Sequence, residues 1–237
     1  MKQLKLFTPS VSQSIQVDIN RRLKKNRKAA TQDTSQADLW TQPKEEEREM
    51  ALFFLDIRNF TPFVERHTAH EVIYIVRKLF SSFQTIIRSN HGQIIETSGD
   101  GFYAAFGFDR SVEEAVASAV KAGKAILESL ESLNENVFVK KLNQRIDVGI
   151  GLHAGKVATG TIHLGGKDHL IVMGYPVNIA SRLEAATKEL NNNFIISAAA
   201  FEMLNNPPTD QPIAEISLKG VVGPCRIHLL GKPYIGN

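Results

Sequence analysis

Gln93-Ile94-Ile95-Glu96-Thr97-Ser98-Gly99-Asp100-Gly101-Phe102-Tyr103-Ala104-Ala105-Phe106 reads as two apolar runs joined by a Ser-Gly-Asp-Gly turn. Glycines flanking an aspartate supply the backbone freedom of a tight hairpin, and a hairpin commits its strands to antiparallel pairing. Working outward, Ala51-Leu52-Phe53-Phe54-Leu55 is a short, wholly apolar run of the kind found in a buried strand. Between the two, Phe63, Val64, Val72, Ile73, Val76, Leu79, Phe80, Phe83 and Ile87 recur at helical spacing until Asn90-His91-Gly92 stops them. Downstream, the Ala-rich stretch from Val112 to Leu133 predicts a long helix, and Arg145 to His153 alternates as a strand. A turn-rich segment then leads to a helix over Val177 to Leu190. A strand over Phe194 to Ser197, a short helix over Ala198 to Leu204, and strands near Ile213 to Leu218 and Arg226 to Leu230 finish the chain. Strands and helices interleave, yet hairpins are present, so the expected fold is an α+β sandwich with a mainly antiparallel sheet.

Composition narrows the class. The chain has 237 residues, 43% hydrophobic and 22% charged, with a net charge of +3. Residues 1 to 50 hold ten Lys or Arg against seven Asp or Glu, which leaves eighteen of each beyond. The excess positive charge therefore sits in an N-terminal arm, and a neutral body argues against nucleic acid as the main partner. Residues 1 to 48 read as a basic, polar arm or linker, and residues 49 to 237 as the folded domain. The cluster Arg21-Arg22-Leu23-Lys24-Lys25-Asn26-Arg27-Lys28 is expected to be a solvated tether rather than a nucleic-acid or membrane contact. The single cysteine, Cys225, forbids an intrachain disulfide and a thiolate metal cluster, which fits a reducing compartment. No apolar run approaches the roughly 18 residues of a membrane span, and Thr8-Pro9-Ser10 interrupts the N-terminus before a secretory core forms. The expectation is a cytoplasmic protein without a transmembrane segment.

Two aspartates sit at strand edges beside flexible backbone. Asp56 follows the apolar strand and Asp100 occupies the hairpin turn. On adjacent strands they would converge, and paired carboxylates with a backbone carbonyl suit Mg²⁺ or Mn²⁺. Farther on, Asn178 and Arg182 lie four apart on one helix face near its N-terminus, where an anion is favoured. Taken singly, each is more simply a turn former or a solvated helix face.

Taken together they are more specific. Phe54-Leu55-Asp56-Ile57-Arg58-Asn59-Phe60-Thr61, Ser98-Gly99-Asp100-Gly101-Phe102-Tyr103-Ala104-Ala105-Phe106-Gly107, Gly149-Ile150-Gly151-Leu152-His153-Ala154-Gly155, Val177-Asn178-Ile179-Ala180-Ser181-Arg182-Leu183-Glu184 and Leu218-Lys219-Gly220 follow in an order that resembles the catalytic domain of the class III nucleotide cyclases, over roughly Met50 to Leu230. The resemblance implies a ferredoxin-like cyclase sandwich and a purine nucleotide cyclase that makes a 3′,5′-cyclic nucleotide and pyrophosphate. It implies two divalent ions held by Asp56, Asp100 and the carbonyl of Ile57, with backbone amides of Arg58 to Thr61, including Phe60 and Thr61, on the triphosphate. Asn178 would orient the ribose, Arg182 would stabilise the transition state, and Lys219 would bind the triphosphate. It further implies a head-to-tail homodimer, with metal aspartates from one chain and the Asn/Arg pair from the other.

For base choice, the adenylate cyclases place a Lys and an Asp or Thr where this chain has Glu96 and Ile171. The guanylate cyclases place a Glu at the first position. Glu96 can accept from guanine N1–H and the 2-amino group, whereas Ile171 offers no polar contact, so the reading leans to GTP with ATP open. Among other motifs, the Gly149 to Gly155 glycines sit within an alternating strand and are expected to serve close packing. His67 and His70 lack further ligands for zinc, no phosphate loop of the P-loop type occurs, and Cys225 has no base at motif spacing. A second hypothesis of another class is a non-catalytic nucleotide-sensing or dimerisation module of the same fold, motivated by the irregular pair Glu96 and Ile171. The arm, lying directly before the first catalytic strand, is expected to tether a regulator, a partner chain or an anionic surface.

Overall fold

The computed structural model describes residues 46 to 234, so most of the expected arm lies outside the described residues. β1 (Glu46–Ile57) leads into α1 (Phe60–Arg66) and α2 (Ala69–Ser89), then the hairpin β2 (Gly92–Ser98) and β3 (Gly101–Phe106), then α3 (Val112–Leu133). A π-helical turn at Asn134–Phe138 and the four-residue α4 (Val139–Leu142) lead to β4 (Val148–Leu164) and β5 (Lys167–Met173). α5 (Tyr175–Glu189), β6 (Phe194–Ser197), α6 (Ala198–Phe201), β7 (Ile213–Ser217) and β8 (Pro224–Leu229) complete the chain. One eight-stranded sheet runs in the order β2-β3-β1-β4-β6-β8-β7, with β5 paired to β4. Among the described residues only β4 and β6 pair in parallel, which makes this the expected α+β fold with a mainly antiparallel sheet.

The period of two along β1 builds two faces. Ala51, Phe53, Leu55 and Ile57 point to one side and pack with Ile75, Leu79, Phe83 and Ile87 of α2 and Ala115, Val116, Ala119 and Ile126 of α3. Both long helices start where the sequence supplies reciprocal caps, Thr68 with Glu71 and Ser111 with Glu114. Met50 and Leu52 point to the other side, with Tyr103, Ala105, Val157, Val172 and Ala180 of α5. Asp56 shares their parity, so it faces α5 rather than the main core.

Two segments differ from the sequence reading. The stretch after His153 is strand, not turn: β4 continues to Leu164, and the reversal occurs at Gly165 and Gly166, both at positive φ. Gly155 pairs with Met50 as the expected strand residue, and Gly160, which resembles a turn residue in the sequence, pairs within a ladder with Ile171. The helix ending at Leu133 also runs on through the π-helical turn to Asn143, whose left-handed φ of 51° closes α4.

The glycines of β4 explain how α5 sits. A Cβ at Gly151 would collide with the Glu184 amide nitrogen and lie 2.6 Å from the Ala180 carbonyl oxygen; at Gly155 it would lie 2.7 Å from Pro176. At Gly149 it would collide with the Arg58 guanidinium. These three positions share one side of the strand, and α5 lies along it in backbone contact, as the sequence reading expects of close packing. His153, on the same side, is buried and bridges to β6 through Nδ1 and Ser197 Oγ at 2.7 Å; burial pushes its ring down to about 4, so it is a neutral core histidine. Gly151→Ala has only backbone atoms to displace, so it is expected to cost about 1 to 3 kcal/mol of stability in urea unfolding. An unchanged midpoint would mean that α5 can lift from β4 without penalty.

Candidate active site

Asp56 is the penultimate residue of β1 and Asp100 occupies the β2–β3 turn, and the β1–β3 ladder brings Asp56 opposite Gly101. The Ile57 amide donates to the Asp100 carbonyl at 3.2 Å, which fixes the turn against the strand end. Both carboxylates line one cavity of about 410 Å³ together with Phe54, Ser98, Ser181 and Glu184. Gly101 has no room for a side chain, since a Cβ there would lie 2.9 Å from Asp56 Oδ1 and 2.7 Å from the Leu55 carbonyl. Burial, and then the charge of Asp100, push the Asp56 carboxyl above its usual range, against the pull of Arg58. Two crowded acids beside backbone oxygens form a donor set suited to a hard divalent cation, with phosphate oxygens and water completing it. Among the described residues no three His, Cys, Asp or Glu are placed to hold a metal ion between them, so any ion here depends on these other oxygens.

Just beyond, Asn59 adopts a left-handed φ of 54° and opens α1. Phe60 and Thr61 occupy its first turn, where amides have no intrahelical acceptor. The Arg58 amide differs from the sequence reading: it donates to the Asp147 carbonyl at 2.8 Å and has no role left for a ligand. Phe60 packs its ring on Phe63, while Thr61 is exposed.

α5 begins at Tyr175, two residues before the expected start, with Pro176 in the first turn, where a missing amide does no harm. Asn178 and Arg182 are both exposed. Asn178 lines a second cavity of about 710 Å³ with Ile95, Glu96, Tyr103, Ile171 and Val172. Glu96 and Ile171 are thus brought together with Asn178. Arg182 lines neither of these two cavities, and nor does Lys219. Lys219 is exposed in the β7–β8 turn, between the buried Leu218 and Gly220 at φ 78°.

Sequence reasoning missed what holds this assembly together. Arg58 reaches under α5, where its guanidinium pairs with the Glu184 carboxylate and donates to the Glu184 carbonyl at 3.0 Å, to Thr187 Oγ1 and to Tyr234 Oη at 3.1 Å. Its other terminal nitrogen lies 3.9 Å from Asp56 Oδ2. Burial pushes the Glu184 carboxyl up to about 7, the charges of Asp56 and Asp100 act the same way, and Arg58 opposes them. One guanidinium therefore offsets part of the acidic charge around the Asp56 cavity. The partners lie 126 and 176 residues away in sequence, so no local spacing could have revealed the cluster.

The Arg58 and Glu184 side chains are only 12% and 13% exposed. Arg58→Ala strands a buried carboxylate and is expected to cost about 3 to 5 kcal/mol. In a cycle with Glu184→Ala, the double variant should lose less than the sum of the single ones. Additive losses in chemical denaturation would show that the two charges act independently.

Comparisons with known proteins agree with this geometry. A family model, described as the adenylate and guanylate cyclase catalytic domain, matches residues 42–231. Adenylate cyclase 1 of Rhizobium meliloti (strain 1021) is 26% identical over 175 residues, covering 73% of this chain and 26% of that protein. The crystal structure of the guanylyl cyclase Cya2 superposes with a TM-score of 0.71 at 26% identity, covering 78% of this chain and 93% of that one. That of the adenylyl cyclase CyaB from P. aeruginosa has a TM-score of 0.69 at 21% identity, covering 78% and 95% respectively, and attests the fold. The chain spans less than a third of the length of the curated relatives it matches here, 26%, 15% and 16% of the first three. Matched over most of its length, the chain belongs to the adenylate and guanylate cyclase catalytic domain family, the class III nucleotide cyclases.

Proposed function

We propose that this chain converts a purine nucleoside triphosphate to its 3′,5′-cyclic nucleotide and pyrophosphate. The observation that carries this reading is the convergence of Asp56 and Asp100 in one cavity beside the first turn of α1. Divalent cations, Mg²⁺ or Mn²⁺, bound there would lower the pKa of the ribose 3′-hydroxyl and neutralise the pyrophosphate. Asp56, Asp100 and the Ile57 carbonyl would hold them. The Phe60 and Thr61 amides would bind phosphate oxygens, and Lys219 would add a charge to the triphosphate. Asn178 would hold the ribose and Arg182 would meet the charge that develops on the transferring phosphorus. Catalysis is then positioning and electrostatics, without a covalent intermediate.

Arg182 and Lys219 line neither cavity of their own chain, while Asn178 borders the cavity that holds Glu96 and Ile171. This supports a head-to-tail homodimer in which the Asp56–Asp100 half of each site meets the α5 half of a second copy. The relatives named above are adenylate and guanylate cyclases alike, which supports a purine substrate of either kind. Glu96 favours guanine through N1–H and the 2-amino group, and Ile171 contributes apolar surface. Among the described residues no helix is long and apolar enough to cross a membrane. A regulatory partner acting through residues 1 to 48 is part of the same proposal.

Incubation of the purified chain with Mn²⁺ and GTP or ATP should yield cyclic product by chromatography, and none from either nucleotide would favour the non-catalytic module. Arg182→Ala is expected to lower kcat about 10²- to 10³-fold. Mixing inactive Asp56→Ala and Arg182→Ala chains should restore activity, because the mixed dimer has one intact site; silence despite proven heterodimers would refute the shared site. Glu96→Lys should move the GTP-to-ATP preference towards ATP, and a constant ratio would remove Glu96 from base reading.

A further inference from the structure

Ile171 brings no polar side chain to the cavity beside Asn178, which His169 of β5 and Tyr103 of β3 also line. Tyr103 stands directly opposite Glu96 in the β2–β3 ladder and opposite Phe54 in the β1–β3 ladder. Its ring stacks on Phe54 with centroids 5.0 Å apart and an interplanar angle of 8°. Its hydroxyl crosses to β5 and donates to the Val172 carbonyl at 2.6 Å, one residue from Ile171. Tyr103 is 8% exposed and lines the same cavity as Glu96, Ile171 and Asn178.

A phenol has one proton and two lone pairs. With the proton committed to Val172, the oxygen can only accept, and stacking on Phe54 fixes its position. Burial and the neighbouring charge of Glu96 push the phenol up to about 12, so the proton stays in place at neutral pH. The exocyclic amino group of a purine has two N–H bonds. Glu96 can take one, and Tyr103 is its cross-strand partner on β3.

We propose that Tyr103 is a base-reading residue whose hydroxyl accepts a hydrogen bond from the exocyclic amino group of the purine, in place of the polar contact that Ile171 cannot make. The proposal rests on the cyclase reading and deepens it. A purely structural role would be to fasten β5 to β3 through Val172. Both roles end when the hydroxyl is removed, so the test must change the substrate as well.

Tyr103→Phe keeps the ring and its stacking on Phe54. Wild type and variant are compared in steady-state kinetics with Mn²⁺ on GTP against inosine triphosphate, which lacks the 2-amino group, and on ATP against purine riboside triphosphate, which lacks the 6-amino group. For the accepted base, KM of the amino-bearing nucleotide should rise roughly three- to tenfold, as for one neutral hydrogen bond, with kcat changed less than about twofold. KM of the matching analogue should stay constant. The pair that shows the difference identifies the base. Each comparison uses one protein preparation, so a partly unfolded variant does not imitate the pattern. Equal KM changes within both pairs would overturn the proposal and leave Tyr103 as a fastener. A wild type that forms no cyclic product would instead refute the cyclase reading, and dissociation constants of the same four nucleotides would then decide Tyr103 in the same way.

Discussion

Backbone meets backbone where Gly151 of β4 passes beneath Ala180 and Glu184 of α5, and the rest of the molecule depends on that approach. A side chain at Gly151 would hold the helix away. Without it α5 lies on the sheet face that also carries Asp56, Glu96 and Tyr103, and the helix borders two cavities at once. Asn178 points to one, while Ser181 and Glu184 point to the other. A helix of fixed placement can serve both; one standing off on side chains would slide, because packed interfaces between long side chains tolerate several arrangements.

That closeness has an electrostatic consequence. It buries Glu184 near Asp56 and Asp100, and a concentration of acid in a half-buried cleft is unfavourable without counter-charge. Arg58 supplies it from the residue next to Ile57, and Gly149 provides the space for its guanidinium. The strand that ends in an acidic site thus carries its own neutralising group two residues later. The same side chain reaches Tyr234, so the chain beyond β8 is fastened to the rim of the site.

Local signals reveal the elements and long-range ones do not. The hairpin around Asp100, the strand before Asp56 and the helix bearing Asn178 follow from periodicity and turn chemistry, which operate over a few residues. The β4–β5 arm departs from the sequence reading because Gly160 resembles a turn residue, although it pairs within the ladder and the reversal lies at Gly165 and Gly166. Of the site, Asp56, Asp100, Asn178 and Arg182 stand out in the sequence because charged or amide groups beside flexible backbone or on one helix face are conspicuous. Tyr103 does not, since a tyrosine in an apolar strand reads as core, and nothing nearby indicates that its hydroxyl crosses to Val172. Arg58 is likewise visible only once residues 126 positions apart are in contact.

The neutral charge balance beyond residue 50 is also clarified by the site. A nucleoside triphosphate is strongly anionic, and a protein that bound it by bulk charge would need a basic face. Here the cleft is acidic: Asp56, Asp100 and Glu184 outnumber Arg58. Under the proposed function such a cleft would repel the free nucleotide and attract cations, favouring a triphosphate that arrives with divalent ions over one that arrives alone. Selectivity for the metal complex would then follow from the sign of the cleft. Arg182 of α5 and Lys219 of the β7–β8 turn do not line that cleft; in the proposed dimer their charge would be added to it by a second copy, without collapsing onto the acids of their own chain.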